Sequence, residues 1–186
     1  MIESTFMRTL ALFILGCVVW WGSIARVFTP PGSTQFDPNK NHPLAQELLA
    51  NYVHHWQSSE SRDKLLSDLH AANPEWDLMF RLFLVGALAN AAERDARWKK
   101  TAVITIDAII RDTLQRERQY GQSYFLLPYA AARPFVVQSP AGNQFVDGEI
   151  AWMMGMRRLL HNDSVWRKLH RDRVALIERR MRRSAL

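Results

Sequence analysis

Between Arg8 and Arg26 lie seventeen uncharged residues, Thr9 to Ala25. As helix they span about 26 Å at ~1.5 Å per residue, close to a bilayer core. Phe6, Met7, Val27 and Phe28 lengthen the apolar stretch, Arg8 and Arg26 can snorkel, and Trp20 and Trp21 suit an interface. The run predicts a retained transmembrane anchor over residues 1–28. Two processed forms compete with it: cleavage after Ser23-Ile24-Ala25, and a lipoprotein-like reading of Ile14-Leu15-Gly16-Cys17, which Val18 to Trp21 continue with apolar rather than polar residues. A short N-terminal tail favours placing the rest of the chain outside, in a periplasm-like space.

After the anchor about 150 residues remain, enough for one domain with its own core. The net charge of +6 is concentrated at the end of the chain: Arg157 to Arg183 hold ten Lys/Arg against three Asp/Glu. An envelope location argues against nucleic acid as the partner of that basic tail. The only cysteine, Cys17, lies inside the apolar run, so disulfides, thiolate metal sites and a cysteine nucleophile are excluded from the domain.

Residues 29–43, with four prolines and Gly32, read as a linker, and the domain covers 44–186. Pro43 pre-sets a helix carrying Leu44, Leu48, Leu49, Tyr52, Val53 and Trp56 at helical spacing. A short helix over 60–71 follows. Asn73-Pro74-Glu75 then starts a third, apolar nearly all round from Leu78 to Ala92 except at Arg81, and so buried on most sides. A fourth runs over 96–119, with Asp107/Arg111 and Asp112/Arg116 paired on its wet side, and Gly121 stops it. Residues 120–146 hold three prolines and six aromatics, with a small β-hairpin expected near 135–146. Asp147 is expected to cap a fifth helix, and Asp163 or Ser164 a sixth. The fold class is therefore all-α, preceded by one transmembrane helix.

Four stretches taken in order resemble the linalool dehydratase/isomerase type of protein: Asn51-Tyr52-Val53; Val85-Gly86-Ala87-Leu88-Ala89; Arg118 to Tyr120; and Asn143 to Ile150 with Met154-Gly155-Met156 and Leu159. That resemblance implies an (α/α)6 toroid of helical hairpins around a central pocket. Six helices make three hairpins, half of a ring, so a closed pocket would need a partner chain or a second half. The family's site residues are largely replaced: His54 stands where an acid is expected, Leu78 near an expected tyrosine, and Glu149 where a histidine is expected.

The expectation for function is a membrane-tethered helical domain of the toroid type, incomplete as an enzyme alone and acting with a protein partner or by self-association. The alternatives are a lyase, isomerase or carbohydrate-active enzyme, and a non-catalytic envelope scaffold. The candidate catalytic residues are Glu149, Asp147 and His54. Asp147 and Glu149 lie at a loop-to-helix junction suited to acid/base chemistry, and equally to capping and to the positive end of a helix dipole. His54 and His55 are adjacent and diverge on a helix, so no metal pair is expected there, and no cofactor motif is present. Tyr124 and the aromatic loop could line a pocket. Arg81 and Arg133 could bind an anion or pair with acids.

Overall fold

The computed structural model describes residues 2–28, 40–128 and 142–183. Every regular element among them is helical, and the chain divides into two units, Met1–Asp37 and Pro38–Leu186.

The first unit holds α1 (Ile2–Phe28). Leu12, Phe13, Ile14, Leu15, Val18, Val19, Trp20 and Trp21 are all exposed, so every side of the helix is open and apolar. Ser23 answers its own polarity by donating its hydroxyl to the Val19 carbonyl oxygen at 2.8 Å. The expected transmembrane span is not supported, since among the described residues no helix is long and apolar enough to cross a membrane.

The second unit holds α2 (Pro43–Gln57), α3 (Ser59–Ala72), α4 (Pro74–Arg94), α5 (Lys99–Tyr120), α6 (Gln144–Leu160) and α7 (Ser164–Arg183), with 3-10 turns at Ala96–Trp98 and Gln122–Phe125. The starts follow the expected chemistry. Asn73 Oδ1 accepts the Glu75 N–H at 2.9 Å and Asp163 Oδ1 accepts the Trp166 N–H at 2.9 Å. Gly121, at φ +82°, ends α5 in a conformation that only glycine adopts without strain.

Two sequence expectations fail at the start of α6. Asn143, not Asp147, is its cap, accepting the N–H groups of Phe145 and Val146. That early cap turns Gln144 onward into helix, so the second arm of the expected hairpin is helical; residues 135–141 and Arg133 lie outside the described residues. Asp107 also departs from expectation. It bonds Arg157 of α6, not Arg111, whose guanidinium lies 6.0 Å from the centre of the Trp166 ring.

Cross-links fix the helix directions. Arg81 of α4 reaches Asp112 of α5, Arg157 of α6 reaches Asp107 of α5, and Arg173 of α7 ties Glu117 of α5 to Asp147 of α6. Thus α5 runs antiparallel to both α4 and α6, which are parallel to each other, and α7 folds back along α6. α2 runs back along α4: Asn41 donates to the Ala91 carbonyl at 2.9 Å, while Tyr52 meets Phe80 edge-on at 5.6 Å. α4 is the centre of this unit. Its buried sides carry Leu78, Leu82, Val85, Leu88, Ala89 and Ala92, which join Ile106, Ile109 and Ile110 of α5 and Ile150, Met153 and Met154 of α6.

Candidate functional site

A helix with core on most sides has one outward strip, and on α4 it comprises Trp76, Phe83, Ala87 and Asn90. Phe80 and Gly86 lie three residues either side of Phe83, about 60° to its two flanks at 3.6 residues per turn. On the Phe80 flank sits Tyr52 of α2; on the Gly86 flank sits Trp152 of α6, whose ring leaves 2.8 Å to a Cβ built on Gly86. Gly86 is therefore glycine because Trp152 lies over it. α2, α4 and α6 accordingly share one face, and Phe83 projects from its middle.

That face is apolar. α2 presents Leu44, Leu48 and Tyr52, α4 presents Trp76 and Phe83, and α6 presents Phe145, Trp152 and Leu159. The α6 residues recur every seven positions, as do Trp76, Phe83 and Asn90, so each strip runs straight along its helix. Two grooves flank the central ridge. One, of about 440 Å³, lies between α2 and α4 with Leu48, Tyr52, Phe80, Phe83 and Ala87 on its walls and Asn41, Gln46, Asn90 and Arg94 at its polar end. The other, of about 550 Å³, lies between α6 and α7 and is lined by Trp152, Gly155, Met156, Leu159 and His170. Such a clustered apolar surface exceeds the single exposed residues that any monomer carries.

Inside the unit the buried charged side chains are paired, although Asp77 Oδ2, Arg81 Nη2 and His70 Nδ1 have no hydrogen-bond partner. Arg81 and Asp77 are both 0% exposed. Arg81 Nε donates to Asp77 Oδ1 at 2.6 Å and its Nη1 to Asp112 Oδ2 at 2.5 Å, while the guanidinium lies 5.6 Å from the ring centres of both Trp56 and Phe125. Burial pushes Asp112 up, but Arg81 and Arg116 outweigh it and hold the carboxyl below its usual range. Arg116 also donates to the Tyr124 hydroxyl at 2.9 Å, and Tyr124 stacks between His70 and Tyr120. Arg81 and Tyr124 are thus occupied in packing α3, α4, α5 and the 122–125 turn.

The three candidate catalytic residues occupy different places. Asp147 is buried and accepts hydrogen bonds from Arg173 and Arg180 of α7, so its carboxylate is consumed in holding α7. His54 is exposed, about 200° round α2 from Tyr52, beside Arg97, Trp98 and Thr101. His55 bonds the Ser61 hydroxyl. Glu149 alone stands at the apolar face, half-buried on the α4 side of α6. Among the described residues, no group of three His, Cys, Asp or Glu could hold a metal ion.

Burial pushes the Glu149 carboxyl up from its ordinary value. A raised folded pKa means that the folded chain keeps the proton where the unfolded chain releases it. Stability from this group is present below the unfolded value and is lost as pH rises through the folded one. Glu149→Gln should therefore melt slightly above the wild type at pH 7 and together with it below about pH 4, the unfolded carboxyl range. Thermal melts at the two pH values check this; a Tm loss at pH 7 would mean that the carboxylate has a cationic partner.

Comparison with protein-family models, curated proteins and solved structures gives no match to this chain.

Proposed function

We propose that this protein is a tethered helical docking module. α1 holds the chain at a membrane, and the face formed by α2, α4 and α6 receives a protein partner without which the unit is incomplete. The observation that carries this reading is the eight-residue apolar face, rich in Trp, Phe and Tyr, the residue types enriched where proteins bind one another. The tether rests on α1 being apolar and open on every side, since such a helix needs an apolar surrounding. Trp20 and Trp21, next to Gly22 and Ser23, suit the interfacial end of an inserted helix.

For α4 to α7 the toroid arrangement is kept as a proposal, with which two antiparallel hairpins and parallel α4 and α6 are compatible. It does not extend to α2, because consecutive helices of one toroid layer run parallel and α2 runs against α4. An enzyme is the second reading, favoured by the burial-raised Glu149 at the edge of the same face. In that case the partner would supply the remaining catalytic groups.

Size and extraction test the first reading. Solubilised in mild detergent and corrected for bound detergent, the full chain should run well above its own 21.6 kDa. Phe83→Asp combined with Leu159→Asp should return it to single-chain size with unchanged helical circular dichroism, because both side chains are open to solvent. Wild-type chain at its own mass when solubilised directly from the cells that make it, with their other proteins present, would remove the docking reading. Release of wild-type chain from membranes by alkaline carbonate would remove the tether.

A further inference from the structure

We infer that the partner on the α2–α4–α6 face is a second copy of this chain, docked about a two-fold axis that sets α6 antiparallel to α6. The inference rests on the docking reading and names its occupant.

Area gives the first argument. With about 200 Å² for a fully open side chain of this size, the exposures of 39–71% over the eight side chains of the face leave on the order of 800 Å² per copy. A stable interface buries about 800 Å² on each partner. A two-fold axis lying in the face and perpendicular to its helices brings α2, α4 and α6 each opposite its own counterpart, so the whole face is covered at once.

The order of side chains along α6 suits the same pairing. Its outward strip reads Phe145, Gly148, Trp152, Gly155, Leu159, with large residues alternating with glycine at spacings of three and four. The fold itself gives no reason for Gly148. A Cβ there would meet nothing within 4 Å, and Gly121 alone has positive φ among the described residues. Within a helix glycine costs about 1 kcal/mol against alanine. A close approach from outside supplies the missing reason. With the axis level with Ile150, residue 152 of one copy faces residue 148 of the other, and 145 faces 155. The exposed edge of Trp152, whose ring end stays over Gly86 of its own chain, and Phe145 of each copy then lie over Gly148 and Gly155 of its mate, Gly155 being flanked by His170. The same axis crosses α4 near residue 84 and brings Phe83 beside its own counterpart on the other copy.

An acidic lipid surface fits less well. It would select lysine and arginine along the whole apolar strip, whereas only Arg94 and Arg158 line its grooves, and Arg157 and Arg173 are bound inward to Asp107, Glu117 and Asp147.

The test uses two differently tagged full-length copies coexpressed in cells, one carrying photoreactive benzoylphenylalanine in place of Phe83. Irradiation should yield an adduct bearing both tags. Gly148→Leu, which fills the hole without touching its own fold, should reduce that adduct at least tenfold while helical circular dichroism is unchanged. A two-tag adduct indifferent to Gly148→Leu overturns the α6 pairing. An adduct with a single tag and a different protein overturns the second copy as occupant and leaves the docking reading standing. No adduct above that from a probe at the exposed Lys64 overturns both.

Discussion

Replacing Arg81 with alanine should cost the helical unit about 3–5 kcal/mol, the usual result of removing one partner from a buried ion pair. At 2–4 °C per kcal/mol for a unit of roughly this size, the melting temperature should fall by about 10–15 °C. The cause is what remains: Asp77, wholly buried, would lose its 2.6 Å hydrogen bond, and Asp112 would lose the cation that most strongly opposes its burial. Arg81→Lys should recover little, because one ammonium cannot reach Asp77, Asp112 and Thr113 in the planar arrangement that the guanidinium uses. Adding Asp77→Asn to Arg81→Met should recover part of the loss by removing the stranded charge, giving a coupling energy in a double-mutant cycle. The Asp112 share has a defined pH dependence. Its folded pKa lies below the unfolded one, so its contribution is present above about pH 4, the unfolded carboxyl range, and disappears as pH falls through the lowered value. The gap between wild type and Arg81→Ala should narrow below that pH. Equal melting temperatures at pH 7 would show that the pair is not needed for folding.

Arg81 also marks how far the sequence could be read. Helix existence was legible throughout the second unit, because Asn73-Pro74-Glu75, Pro43, Gly121 and Asp163 are local signals whose chemistry acts within one turn. The partners of charged residues were not. Asp107/Arg111 satisfies the i,i+4 rule as well as Asp112/Arg116, yet Asp107 turns to Arg157, fifty residues away, and Asp112 serves Arg81 besides Arg116. Spacing along one helix cannot reveal which neighbouring helix brings a competing guanidinium. The same limit explains α6, where Asn143 and Asp147 are both good caps by type. Only the arrival of Arg173 and Arg180 from α7 decides that Asp147 faces inward.

The exposed apolar face was half legible. Leu44, Leu48, Leu49, Tyr52, Val53 and Trp56 recur at helical spacing, but the buried side of α2 is Leu49, Val53 and Trp56, and the other three face outward. An apolar stripe predicts burial without naming what buries it. On α6 the seven-residue recurrence of Phe145, Trp152 and Leu159, broken by Gly148 and Gly155, was available in the sequence. It becomes informative only once Gly148 is seen to have no neighbour of its own. Glu149 and Asp147 illustrate the converse: two carboxylates two residues apart looked like a pair, but a turn of about 200° separates them on a helix. One faces the open surface and the other the α7 arginines.

That separation makes Asp147→Asn the most discriminating substitution. Asparagine keeps the shape and one acceptor but removes the charge on which Arg173 and Arg180 converge, at a carboxylate that is 2% exposed. Charged hydrogen bonds contribute about 1.5–3 kcal/mol each, so losing their charge assistance should cost about 2–3 kcal/mol. The loss should be local before it is global. α7 is held by Trp166 in the core and by its arginines, with Glu117 left as the remaining anion for Arg173. Hydrogen exchange should therefore rise along Ser164–Arg183 well before it rises in α4 and α5. Glu149→Gln should show no such effect, since no partner chain of arginines depends on it. If Asp147→Asn left exchange in α7 unchanged while abolishing a measurable activity, the carboxylate would be chemical rather than structural, and the docking reading would give way to the enzyme.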